Sequence, residues 1–170
     1  MIKAKKEKLK IKQLQELSRK ARQIMVDSLI CAGCGHPGGA FSSIDIMIVL
    51  YFSVMHIDPK KPLWQKRDYF ILSKGHSSVA LYTVLYLRGF LKREALKTFR
   101  QDKSILSGHP DMHKVTGVEM STGSLGHGLS IGIGLAVAAK IDKKSNRVIV
   151  LMGDGETQEG SVWEAAMFAN

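Results

Sequence analysis

Residues 147–155 read RVIVLMGDG. Three β-branched residues and a leucine in succession form a short run that suits a strand buried on both faces. Gly153-Asp154-Gly155 then turns the chain at the strand's carboxyl end, the edge where open α/β sheets hold ligands. The two glycines allow a tight turn and a close backbone approach to a ligand. A carboxylate at Asp154 can hold Mg2+ while the ion bridges phosphate oxygens, or it can cap the helix expected over 157–169. The tripeptide alone leaves both open.

Outward from this strand, breakers and periodicity divide the chain. A small-residue helix enters through the glycine-rich Gly123–Gly128 and runs to about Lys140. A second apolar run, Asp68–Leu72, reads as another strand and ends at Ser73-Lys74-Gly75-His76. It is followed by a helix to Arg88, stopped by Gly89, and a short amphipathic helix over 93–100. Near the start, Leu9, Ile11, Leu14, Leu17, Ala21, Ile24, Met25 and Leu29 give helical spacing over 8–32, ending at Gly33. Gly35–Gly39 reads as a loop, with Ser42 or Ser43 capping a buried apolar helix over 43–56. Residues 101–122 show little periodicity and read as a functional loop. Helices alternating with buried strands predict an α/β fold, a parallel sheet with helices on both faces. With only two strands evident, the sheet is expected to be incomplete at the C-terminus.

The chain has 170 residues, enough for one domain, and a mean hydropathy of −0.03, the balance of a globular protein. Its net charge of +10 is unevenly placed: residues 1–22 hold nine Lys/Arg against two acids. The basicity therefore belongs to an N-terminal arm, set at residues 1–12 ahead of a domain over 13–170, and argues against a nucleic-acid partner. The most apolar run, Ile46 to Ile57, is interrupted by Ser53 and His56 and is too short to cross a membrane. No signal peptide is evident, and two cysteines make no disulfide framework, so a cytoplasmic location is expected.

Cys31 and Cys34 form a C-x-x-C at the carboxyl end of a helix, the wrong end for a dipole-activated thiol. The spacing also fails for haem attachment, and zinc would need two more ligands. The pair is expected to be two small, half-buried residues. Gly126-His127-Gly128 with Gly132 misses the dinucleotide fingerprint by one residue. Gly155 to Gly160 has phosphate-loop glycine spacing, but Ser161 stands where lysine is required. Four of the six histidines (His36, His76, His109 and His127) lie in glycine-containing turns. Together they point to a pocket where imidazoles meet backbone donors, able to bind sugar hydroxyls and move protons near neutrality.

Four segments, AGCGHPGGAFSSIDIMIVLYF (32–52), RDYFILSKGHSSVALY (67–82), SGHPDMHKVTGVEMSTGSLGHGLSIGIGLA (107–136) and VLMGDGETQEGSVWEAAMFA (150–169), taken in order, resemble the N-terminal, diphosphate-binding section of a transketolase. Other thiamine diphosphate enzymes share GDG but lack the HPGG and SKGHSS segments. The resemblance implies thiamine diphosphate and Mg2+ as cofactors, with Asp154 as metal ligand. It implies His76, Gly123, Ser124, Leu125, Gly155 and Glu156 on the cofactor, and His36, His76 and His109 as catalytic residues facing the reacting carbon and the sugar. Glu159 and Glu164 match acidic positions near a dimer interface.

Two residues depart from the family pattern: His127 stands for a usual glutamine and Cys34 for a usual serine. The family's second metal ligand, an asparagine, is expected beyond this sequence, since Asn170 comes too early. The activating carboxylate belongs to another domain. The implied partners are a C-terminal subunit carrying the pyrimidine-binding domain, sugar phosphates, and further copies in a homodimer or higher oligomer. The implied reaction is ketol transfer between sugar phosphates, with this chain alone inactive. A non-enzymatic truncated remnant, or a related enzyme acting on other sugars, is the alternative.

Overall fold

The computed structural model describes residues 9–169. Most of the expected basic arm lies outside them, although helix α1 (Ile11–Ala32) already begins inside its bounds. The sheet has two parallel strands, β1 (Tyr69–Leu72) and β2 (Val148–Leu151), paired Tyr69↔Val148 through Leu72↔Leu151. Both lie within a residue of the expected runs.

Alternation assigns the two faces. Phe70, Leu72, Ile149 and Leu151 join a core built with α1, α2 (Pro37–Val49) and α3 (Ser78–Arg88). On the opposite face, Ile71, Val148 and Val150 meet α5 (His127–Ile141) at Gly132. A side chain at Gly132 would collide with Val150, so glycine is what lets α5 lie against the strands. Two shorter helices, α4 (Arg93–Leu96) and α6 (Gly160–Phe168), complete the fold, with α6 packed on α5. Helices thus cover both faces of a parallel sheet.

Three sequence expectations are corrected. The second helix starts at Pro37 and continues through a π-helical turn to Val54. Proline at the first helical position is pre-organised for a start, so Gly38 and Gly39 are helical rather than loop. Ser42 and Ser43 are not caps; their hydroxyls donate back to the Gly39 carbonyl at 3.0 and 2.7 Å. The helix expected over 93–100 stops at Leu96 and unwinds through turns to Arg100, which has a positive φ. Cys31 and Cys34 are exposed, not half-buried, because the end of α1 turns Leu29 and Ala32, not the cysteines, toward the core. The terminators Gly33 and Gly89 do close their helices in the left-handed conformation.

Pro37–Val54 also has the length and mean hydropathy (1.4 over 18 residues) of a bilayer-crossing helix. Here Ala40, Ile44, Met47, Ile48 and Tyr51 from it form the middle of the core. At the amino ends of the strands, the buried Asp68 carboxylate accepts the His56 amide (2.8 Å), the Arg147 amide (3.0 Å) and the Arg147 guanidinium (2.5 Å). Burial pushes this carboxyl up, but the Arg147 side chain and the two amides outweigh it and hold it below the usual carboxylate range. This clasp fixes the strands at one end and leaves the carboxyl ends free for the site.

Candidate functional site

The carboxyl ends of both strands open onto one region. After β1 the chain makes a tight turn over Gly75–Ser77 that carries His76. His36, the residue preceding α2, brings its ring to 5.2 Å from that of His76, edge to face. Gly39, in the first turns of α2, makes this approach possible, since a Cβ there would lie 2.9 Å from His76 Nε2. His109 comes from the long 101–122 loop, and its ring lies against Gly123. Burial lowers the His76 pKa, and the neighbouring His36, Lys74 and His109 lower it further. His76 is therefore a neutral imidazole near pH 7, able to donate at one nitrogen and accept at the other.

Asp154 follows β2 and is exposed. It precedes a short helical turn over Gly155–Gln158, but its carboxylate does not cap that turn. The capping alternative left open by the tripeptide therefore fails, and the carboxylate faces outward at the ligand edge. Nothing lies within 4 Å of where a Gly155 side chain would be, so the backbone there is open to a ligand. Gly123, Ser124 and Leu125 are exposed just ahead of α5, whose amino end begins at Gly126 with φ 81°. Backbone amides at such a terminus suit an anion.

Some expected residues take other positions. Glu156 was expected on the cofactor, yet its carboxylate is 3% exposed and accepts the Ser73 hydroxyl and the amides of Gly126 and Gly153. Its carboxylate is engaged from within by three donors and is not presented to a ligand. His127 does not join the other imidazoles: Nδ1 turns back to the Leu125 carbonyl at 3.1 Å. Glu159 and Glu164 are exposed on the outer side, with Glu164 beside a groove between α5 and α6.

Sequence reasoning missed Lys74. It is 7% exposed, and Nζ donates to the Gly39 carbonyl and to Ser42 Oγ, both at 3.0 Å. Burial lowers its pKa, while Asp154 and Glu156 act the other way. Lys74 thus ties the turn after β1 to the start of α2 and brings a positive charge to the ligand edge near Asp154. The only local signal was a lysine two residues after a buried strand.

An exposed carboxylate, a nearby lysine, open glycine backbone and a helix amino end fit a diphosphate with a divalent cation. Among the described residues no three His, Cys, Asp or Glu side chains cluster to hold a metal by themselves. Asp154 can therefore hold Mg2+ only together with ligands from outside that set, such as diphosphate oxygens.

Comparison with known proteins gives the family. Residues 14–170 match the family described as transketolase, thiamine diphosphate binding domain. A subunit of the apulose-4-phosphate transketolase of Phocaeicola vulgatus is 47% identical over 162 residues, covering 95% of this chain and 57% of that protein. The 6-deoxy-6-sulfo-D-fructose transketolase subunit of a Clostridium species is 42% identical, covering 92% and 57%. The crystal structure of transketolase from Campylobacter jejuni superposes with a TM-score of 0.87 at 36% identity, over 94% of this chain and 26% of that one. The chain thus spans little more than half of the subunit-type relatives and about a quarter of that transketolase. With the family model matched over nearly its whole length and the same fold found in a solved transketolase, this chain belongs to the transketolase family, within its thiamine diphosphate-binding domain.

Proposed function

We propose that this chain forms the diphosphate side of a split transketolase, which moves a two-carbon ketol unit from a ketose phosphate to an aldose phosphate. The observation that carries the reading is the grouping of His36, His76 and His109 at the carboxyl edge of the sheet, the same edge at which Asp154 and Gly155 follow β2. Asp154 would ligate Mg2+ on the diphosphate, with the Gly155 backbone against a diphosphate oxygen. Gly123, Ser124 and Leu125 would line the side toward the thiazolium. When bound, thiamine diphosphate supplies the carbon that carries the two-carbon unit and the electron sink for it.

The protein's own part is binding and proton handling. Neutral His76 can hydrogen-bond a sugar hydroxyl, and the exposed His36 and His109 can exchange protons with hydroxyl or carbonyl oxygens of the substrate. The activating carboxylate is assigned to a partner subunit with the pyrimidine-binding domain, a reading supported by the subunit names of two relatives. Those names also specify two different sugars, so the donor panel in a test includes xylulose 5-phosphate, apulose 4-phosphate and 6-deoxy-6-sulfo-fructose. Without the partner, the chain is expected to show no turnover.

The test is a ketol-transfer assay of the chain assembled with its partner subunit. In that complex His109→Ala should lower the rate by about 10²-fold or more, the scale of a positioned proton-transfer group. His113→Ala, on an exposed turn of the same loop, should stay within about twofold, as a solvated side chain away from the reacting atoms. Equal, small effects of the two substitutions, or no transfer from any donor, would remove this reading.

A further inference from the structure

Among the described residues only two carboxylates are buried, Asp68 and Glu156. Asp68 closes the amino ends of the strands; Glu156 lies at the opposite end, under the site. Its Oε1 accepts the Ser73 hydroxyl and the Gly126 amide at 2.9 Å, and its Oε2 accepts the Gly153 amide at 3.0 Å. Ser73 Oγ in turn accepts the Gly128 amide at 3.1 Å. One side chain thereby joins the end of β1, the turn into α5 and the turn after β2, segments up to 83 residues apart in sequence.

Each joined segment carries a part of the site. Gly126 directly follows Ser124 and Leu125, Gly153 directly precedes Asp154, and Ser73 precedes Lys74. None of these parts lies on the same element, so their spacing depends on what ties them together. We propose that Glu156 is a positioning residue, a buried clasp that sets the Asp154 turn and the Ser124–Leu125 loop in fixed register and so determines affinity for the Mg2+–diphosphate group. This rests on the thiamine diphosphate reading above.

The chemistry of the clasp is specific to a carboxylate. All the groups facing it are donors, and a carboxylate only accepts. In Glu156→Gln the single carbonyl oxygen can keep Ser73 and Gly126, but the amide nitrogen then meets the Gly153 N–H, donor against donor. A buried amide left without an acceptor is unfavourable, so the turn carrying Asp154 moves while the other side of the clasp holds. Ser73→Ala removes one donor to Glu156 and the acceptor of Gly128, but leaves Glu156 on Gly153.

The experiment uses the chain assembled with its partner subunit. Thiamine diphosphate is titrated calorimetrically in excess MgCl2, and amide hydrogen exchange is followed by mass spectrometry in the cofactor-free complex over 122–130 and 151–157. Glu156→Gln should weaken binding about tenfold, the effect of one lost, partly buried hydrogen bond. It should speed exchange at 151–157 more than at 122–130, and raise the half-saturating cofactor concentration by a larger factor than it lowers kcat. Ser73→Ala should weaken binding less and speed exchange mainly at 122–130.

Unchanged affinity and exchange in Glu156→Gln, with a wild type that binds, would overturn the clasp; so would a fall in kcat with affinity intact. Failure of the wild type itself to bind would overturn the functional reading instead, and the exchange pattern would still decide whether Glu156 holds the two turns. Should Glu156→Gln not fold, Ser73→Ala carries the test: unchanged affinity together with unchanged exchange at 122–130 overturns the proposal.

Discussion

α3 and α5 are both apolar helices that follow glycine-containing turns, yet they end in different surroundings. In α3 every residue from Ser78 to Leu85 is buried; in α5 only Gly128, Gly132 and Ala139 are. The strands repeat the contrast, since Phe70, Ile71 and Leu72 of β1 are buried while all four residues of β2 are only half-buried. The half made of α1–α3 and β1 buries its central apolar residues, with Ile149 and Leu151 of β2 packed against them, although Ile11, Ile30, Ile46 and Val49 stay exposed. The half made of α5, β2 and α6 presents Val137, Ile141, Trp163, Met167 and Phe168 at the surface, with no cover among the described residues. Apolarity in a sequence marks a face that suits burial; it does not say which segment or chain covers it.

The sharpest way to break this comparison is to truncate one apolar side chain in each half. Leu85→Ala, in the first half, should lower stability by about 2–5 kcal/mol, because Leu85 is fully buried and its removal leaves a cavity. Val137→Ala, on the exposed side of α5, should stay within about 0.5 kcal/mol. Thermal denaturation of the two variants compares them directly, and equal losses would mean that the α5 face is covered in solution.

A second test separates the ends of the sheet. Asp68→Asn leaves the half-exposed Arg147 without its charge partner and should cost about 2–3 kcal/mol, below the value for a fully buried pair. The sign with pH follows from the lowered native pKa of Asp68. Its stabilisation is complete above the unfolded carboxyl value of about 4 and is lost as pH falls through the native value. Melting curves should therefore show a steeper acid loss in the wild type below about pH 4 than in Asp68→Asn. Parallel acid limbs would sink the assignment.

The smallest effect is expected at Trp163, which is exposed on α6 and donates Nε1 to the Thr157 carbonyl at 2.8 Å. Trp163→Ser should change the melting temperature little, within about 0.5 kcal/mol of stability. Paired with Phe168→Ser, it should reduce association measured by light scattering at micromolar concentration. Association unaffected by the pair would show that this face is not what brings chains together.

The strands, α3 and the helix terminators were legible because each is set by local pattern: short β-branched runs, glycine stops and apolar spacing. The start of α2 was not. Pro37-Gly38-Gly39 reads locally as a loop, and it is helical in a setting where His76 packs against Gly39 and Lys74 Nζ reaches the Gly39 carbonyl. The site divides in the same way. Asp154 could be placed from strand and turn alone, and the histidine turns pointed to a pocket. The inward turn of Glu156 and the reach of Lys74 depend on segments 30 to 83 residues apart, and no local signal encodes that meeting.

The parallel pairing of Tyr69 with Val148 also bears on how the chain folds. The two strands are joined only through a long excursion, with Asp68 and Arg147 meeting across 79 residues. A pairing this remote cannot nucleate locally, because the closure entropy of the intervening chain is spent before any ladder bond forms. The helices of the first half can assemble from nearer contacts, so the sheet, and the ligand edge it creates, should form late. A ligand that recognises this edge binds only chains that have completed the fold, and by mass action its presence draws the last step to completion.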